Sequence, residues 1–178
     1  TPAGVKLLWD LGAERAVLSR EMSLGEIEEV HQACPIQLES FVHGALCMSV
    51  SGQCLFSALL GGRSGNRGLC AQPCRLPYGV DGPARGKYPL SLKDSCLAGN
   101  LGEMAEMGVS CLKLEGRMKR PEDVAVGTGI YARAIKEDRE PTEEELEQLR
   151  AAFSRQGFTQ GYFLDQKGPD MFGTRQEG

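Results

Sequence analysis

An α/β protein with a parallel sheet covered by helices is what this sequence predicts, and three observations predict it. Strand-like and helix-like segments alternate along the chain, the order that builds parallel sheets through helical crossovers. Two Ser/Thr-x-x-Glu boxes, Ser23 with Glu26 and Thr142 with Glu145, open apolar-periodic runs and mark helix starts. Between them, one long stretch from Glu39 to Pro77 breaks the alternation and holds four of the seven cysteines among six glycines. That stretch reads as a Cys/Gly-rich loop inserted into the sheet.

The elements follow in order. Thr1-Pro2 caps a helix, proline being suited to the first helical position; Val5, Leu8 and Trp9 give it an apolar face and Gly12 stops it. Residues 15–19 (RAVLS) form a short β-like run. The Ser23–Glu26 box opens a helix with Leu24, Ile27, Val30 and Cys34 on one side, ended by Pro35. Ile36 to Val42 reads as a strand that runs straight into the cysteine loop. Val80 to Lys87 is a turn-rich connector, and Tyr88 to Leu92 a further strand. Asp94 is placed to cap a helix with Leu97, Leu101, Met104 and Ala105 inward and Gly108 as its stop. Val109 to Glu115 is a strand leading into Gly116-Arg117-Met118-Lys119. Pro121 starts a helix striped by Val124, Gly127, Tyr131, Ala134 and Ile135. After a polar break, the Thr142 box opens a helix carrying Leu146, Leu149 and Phe153, which Gly157 ends. In the tail, Gly161 to Asp165 reads as a strand. Four or five strands are too few for a closed eight-stranded barrel. With its helix-cap start and Gly-rich end, the chain reads as a piece of a longer protein: 1–140 as one domain, and 141–178 as the start of a following segment.

Composition narrows the function. An apolar share of 41% with mixed charge is that of a soluble globular chain, and 23 glycines among 178 residues is roughly twice the usual frequency. The net charge of −4 argues against a broad nucleic-acid surface, yet six basic residues face one acid between Gly62 and Lys93. That run (Arg63, Arg67, Arg75, Arg85, Lys87, Lys93) is either a solvated face or an anion- or RNA-facing rim. The absence of a long apolar run or signal-peptide pattern makes the cytoplasm the default compartment. Seven cysteines there point to metal or redox use rather than disulfides. Six residues separate Cys47 from Cys54, fifteen Cys54 from Cys70, and three Cys70 from Cys74. Thiolates select iron–sulfur clusters, zinc or copper(I), so a cysteine-ligated metal cluster is expected in the loop.

The residues Glu39-x-Phe41-x-x-Gly44-Ala45-Leu46-Cys47-x(4)-Gly52-x-Cys54-x-Phe56-Ser57 resemble the signature of peptidase family U32, the collagenase-like proteases. Gly62-Arg63-Ser64-x-Asn66-Arg67-Gly68-x-Cys70-x(3)-Cys74-Arg75, Ser91-x-Lys93-Asp94 and Lys113-x-Glu115-Gly116-Arg117-x-Lys119 are similar to its downstream landmarks, in family order. Phe56 departs from the smaller aliphatic usual there. The resemblance implies a partial or distorted (β/α), TIM-barrel-like sheet whose first strands are absent. It also implies a 4Fe–4S cluster serving oxygen-independent hydroxylation, with tRNA uridine (prephenate-linked), a ribosomal cytidine or a ubiquinone precursor as substrates.

Cys47, Cys54 and Cys70 are the expected ligands. The fourth is Cys74 or, alternatively, Cys96, which the Asp94 cap would place in a helical first turn that favours thiolate. Zinc is the alternative metal, although structural zinc sites pair ligands across two to four residues, closer than Cys47 and Cys54. Cys34 and Cys111 read as small core residues. Glu39 and His43 enter the loop from a strand's C-terminal end, where barrel enzymes carry their chemistry; they are candidate acid–base groups, or else an ion-paired carboxylate and a structural histidine. Arg117 suits bidentate contact with carboxylate or phosphate, and Arg63, Arg67, Arg75, Lys93 and Lys113 join it as anion-binding candidates. There is no H-E-x-x-H and no G-x-S-x-G, and Ser57 reads as packing. Three functions therefore stand at this point: RNA-base hydroxylase, peptidase, and a non-catalytic cluster-bearing partner subunit.

Overall fold

The computed structural model describes residues 1–79, 88–117, 119–154 and 156–173. The connector from Val80 to Lys87, with Arg85 and Lys87, and Met118 lie outside them. The elements are α1 (Pro2–Asp10), β1 (Arg15–Val17), α2 (Leu24–Ala33), β2 (Gln37–Ala45), α3 (Phe56–Gly61), β3 (Asp94–Cys96), α4 (Leu101–Glu106), β4 (Val109–Leu114), α5 (Pro121–Glu137), α6 (Glu143–Phe153) and β5 (Phe158–Thr159). Short 3-10 turns occur at Gly65–Arg67, Pro73–Arg75 and Pro169–Met171.

β2 is the central strand. β4 pairs with it in parallel along one edge; β1 runs parallel beside its start and β3 antiparallel beside its end on the other edge. β5 adds in parallel to β3. The sheet is therefore open and mostly parallel, with helices packed on it and the cysteine segment inserted between β2 and β3. Along β2, Leu38, Ser40 and Val42 are buried while Gln37, Glu39 and Phe41 alternate with them, half-buried or exposed. The buried face meets Val5 of α1, Ile27 and Val30 of α2, Met104 of α4, and Ile130 and Tyr131 of α5. Each such side chain contributes roughly 1.5–3 kcal/mol on burial. Leu149 of α6 and Phe163 of the tail belong to the same core.

Both capping boxes form: the side chains of Ser23 and Thr142 accept from the backbone N–H of Glu26 and Glu145, and both carboxylates return the bond. Three expectations fail, the first to tertiary pairing and the other two to local turns. Asp94 does not cap a helix; residues 94–96 are extended because they pair with His43, Gly44 and Ala45, and α4 starts only after Asn100. Cys96 is accordingly a strand residue. Tyr88 to Leu92 is a turn closed by Ser91 N–H to Tyr88 O at 3.1 Å, with a single bridge from Leu92 to Phe172. Gly161 to Asp165 is also a turn, closed by Gln166 N–H to Gly161 O at 2.7 Å, while the strand lies at Phe158–Thr159.

Gly44 makes the exit of β2 possible. Its φ is +125°, and a Cβ there would lie 2.7 Å from Glu115 Cβ and 2.8 Å from Glu115 O. Only glycine lets the two strand ends approach this closely. Glu115 N–H then donates to His43 O at 2.8 Å. The chain leaves the sheet at Ala45, and Cys47 follows.

Candidate functional site

Cys47, Cys54, Cys70 and Cys74 line one cavity of about 730 Å³. They arrive from four places: the end of β2, the residue before Leu55 at the start of α3, the turn after Gly68, and the Pro73–Arg75 turn. All four are free thiols and half-buried. The loop is tied down at several points. Ser51 donates both its backbone N–H and its hydroxyl to Glu21, the latter at 2.8 Å; Asn66 Nδ2 donates to Gly52 O at 2.8 Å; and Tyr78, stacked on Phe56 with ring centroids 6.1 Å apart, donates to Pro73 O at 2.9 Å.

Burial pushes the Cys74 thiol pKa up, against the pull of the neighbouring Arg75 charge, and Cys47 and Cys70 act on it in the same upward sense. Among the described residues, no three His, Cys, Asp or Glu side chains stand close enough to hold a single metal ion. Four soft donors around one roomy cavity are the donor type of a multi-atom thiolate-bound cluster. Cys96 does not line the cavity. It is buried in β3 with Sγ 4.0 Å from Tyr131 Oη, and burial raises its pKa.

The positive candidates divide. Arg75 and Arg117 line the cysteine cavity, together with Arg20 and Lys119, while Arg63, Arg67, Lys93 and Lys113 do not. Arg75 directs its guanidinium inward, donating to Ser91 Oγ and Leu46 O, each at 2.8 Å, and to Leu92 O. It joins the turn that bears Cys74 to the residue before Cys47. Arg117 is exposed, with Nη1 on Gly68 O at 3.1 Å. Lys119 lies over the Phe153 ring at 5.2 Å and donates to Phe153 O. Arg63 donates to Leu69 O at 3.0 Å.

Glu39 lies outside the cavity, on the open face of the sheet. Lys113 Nζ donates to it at 2.6 Å and Arg15 stands 3.6 Å away. The bond from Lys113 holds its pKa below the ordinary carboxylate value, as expected of an ion-paired carboxylate. His43 is 1% exposed, boxed in by Phe153, Phe158 and Tyr131 with ring centroids 4.5, 5.2 and 5.7 Å away. Tyr131 donates to Val42 O at 3.1 Å, so the Nδ1–H of His43 donates to Tyr131 Oη at 3.1 Å and Nε2 keeps its lone pair. Burial, then the Lys119 charge, lowers the pKa to about 4, leaving the ring neutral at pH 7. It lines a cavity of about 20 Å³ beside the cysteine cavity, and both share Arg20, Ala45, Leu46 and Glu115 as walls.

Sequence reasoning missed Arg20, Glu21 and Ser57. Arg20 and Glu21 sit in a loop with no periodicity to announce them. Ser57 stands among apolar neighbours, where packing is the expected role, yet its hydroxyl meets Cys70.

Compared with known proteins, residues 1–172 match the model of peptidase family U32. A 23S rRNA 5-hydroxycytidine synthase of Escherichia coli is 44% identical over 135 residues, covering 73% of this chain and 21% of the relative. A tRNA hydroxylation protein P of Helicobacter pylori is 35% identical over 181 residues, covering 89% and 42%. A collagenase of Porphyromonas gingivalis is 34% identical over 179 residues, covering 87% and 43%. The chain thus spans well under half the length of these relatives. No solved structure matches it significantly.

Proposed function

The chain belongs to peptidase family U32, and on that footing we propose that it carries the cluster-binding part of an enzyme that hydroxylates an RNA base, a tRNA uridine with prephenate as anionic co-substrate. The observation that carries this reading is the convergence of Cys47, Cys54, Cys70 and Cys74 on one cavity. Two of the similar proteins are named for hydroxylation of ribosomal or transfer RNA. The open sheet is then a sector of a (β/α) barrel, and an RNA substrate places the protein in the cytoplasm.

In this reading the four thiolates hold a 4Fe–4S cluster, which when bound supplies one-electron chemistry. Arg20, Arg117 and Lys119 give the cavity a positive wall suited to carboxylate or phosphate groups. Arg75 holds the Cys74 turn against the end of β2. Neutral His43 offers an acceptor, not an acid, at physiological pH. Glu39 and Lys113 brace the open face as an ion pair.

The peptidase reading draws on the name of the Porphyromonas relative. It needs a nucleophile with a base, and His43 Nε2 has no hydrogen-bond partner among the described residues, so no Cys–His dyad is formed there. Ser57 Oγ is bonded to Ala71 N–H and Cys70, away from any histidine. Oxygen-free purification is expected to give a brown protein with equal iron and sulfide, colour being lost in Cys47→Ala and Cys54→Ala. Deleting the encoding gene should remove a hydroxylated nucleoside from tRNA digests. A colourless protein with stoichiometric zinc, or an unchanged nucleoside profile with gelatin cleavage by the pure enzyme, overturns this reading. An iron–sulfur protein with no nucleoside change and no cleavage would be the non-catalytic partner subunit.

A further inference from the structure

Two hydrogen bonds reach the sulfur of Cys70 in the cysteine cavity. Cys70 Sγ accepts from Ser57 Oγ at 3.7 Å and from Gln72 N–H at 3.3 Å. Ser57 is 5% exposed, in the first turn of α3. Its oxygen also accepts from Ala71 N–H at 3.0 Å, which locks the hydroxyl in place. A serine hydroxyl has one hydrogen to give, and here the sulfur receives it. The arrangement is compact: the residue that donates to Cys70 is held by the residue that follows Cys70.

We propose that Ser57 sets the reduction potential of the cluster through this bond to the Cys70 sulfur, an inference that rests on the cluster reading above. A donor to a ligand sulfur draws electron density from it and favours the more negative, reduced state of the cluster over the oxidised one; hydrogen bonding to the sulfurs is one of the factors that fix such potentials. Donation to a charged acceptor is stronger than to a neutral one, so the bond gains strength as the added electron raises the negative charge. Ser57 is thus a positioning and tuning residue, not a catalytic one.

Redox titration with dithionite and mediators, followed by electron paramagnetic resonance, tests this on the purified protein with its cluster. Ser57→Ala, at wild-type iron and sulfide content, is expected to be harder to reduce by roughly tenfold in equilibrium constant, about 59 mV for a one-electron couple. Ser57→Thr keeps the hydroxyl and should keep the potential. Ser57→Cys substitutes a weaker donor of similar size and should fall between. A purely structural role through Ala71 would lower thermal stability in Ser57→Ala without moving the potential, and that result overturns the inference. Should Ser57→Ala fail to hold a cluster, an unchanged potential in Ser57→Cys overturns it equally. A wild-type protein free of iron and sulfide would instead sink the cluster reading and take this inference with it.

Discussion

His43 is enclosed by three aromatic rings and protonates in the folded protein only near pH 4. In the unfolded chain it binds a proton near its ordinary pKa of about 6.5. Between those values the unfolded state holds the extra proton, so stability is complete above pH 6.5 and falls as the pH drops through the window. The full loss amounts to as much as about 3 kcal/mol. Chemical denaturation from pH 7 to pH 5 should show this slope in the wild type, and His43→Gln should flatten it; an equal slope in the variant would mean that another group titrates. The sequence showed His43 at the end of a strand, where either a catalytic or a structural role was open. Its burial was decided by Phe153 and Phe158, more than a hundred residues on, and no local signal carried that. Cys96 is the parallel case. The helix that Asp94 was expected to cap made it a candidate ligand, and only its pairing opposite His43 placed it in β3 beside Tyr131.

Helix α6 begins with a carboxylate that serves two roles. Glu145 completes the capping box with Thr142 and accepts from Arg139 Nη1 at 2.7 Å and Arg133 Nε at 3.1 Å. Arg139's hydrogen bond, then Thr142 N–H, lowers its pKa to about 2. A depressed carboxylate contributes stability that is present above its unfolded pKa of about 4.5 and lost as the pH falls toward 2. Glu145→Gln should therefore flatten the acid limb of stability below pH 4.5. At neutral pH it should cost about 1–2 kcal/mol through the weakened cap and lost ion pairs, read by urea denaturation; no loss at pH 7 would show that the cluster of charges is idle. The box itself was legible in the sequence because Thr-x-x-Glu is a local pattern with a local cause. The two arginines were not: Arg133 comes from the last turns of α5 and Arg139 from just past its end, where the chain turns at Asp138 in the left-handed conformation with φ 47°.

Across the whole molecule, the mouth of the cysteine cavity is greasier than an ordinary surface. Met48, Val50, Leu55 and Leu59 line it while remaining 39%, 55%, 62% and 81% exposed. Contiguous exposed apolar groups of this kind mark contact surfaces. The protein should enhance the fluorescence of anilinonaphthalene sulfonate, and Leu55→Ser with Leu59→Ser should reduce that signal while changing unfolding free energy by about 0.5 kcal/mol or less per site. Unchanged dye binding would show that the mouth is closed in solution. Among the described residues no helix is long and apolar enough to cross a membrane.

What the sequence determined by itself had a short-range cause: most of the alternation of elements, both capping boxes, the central strand, and the gathering of four thiols in one glycine-rich segment. Local propensity and side-chain type act within a few residues, and these features needed no more. The tertiary structure alone decided that Asp94 to Cys96 is a strand, that Glu39 stands apart from the cavity, that Arg75 turns inward, and that Ser57 reaches Cys70. Each of these depends on partners far away in sequence, where backbone pairing and burial outweigh any preference the residues express alone.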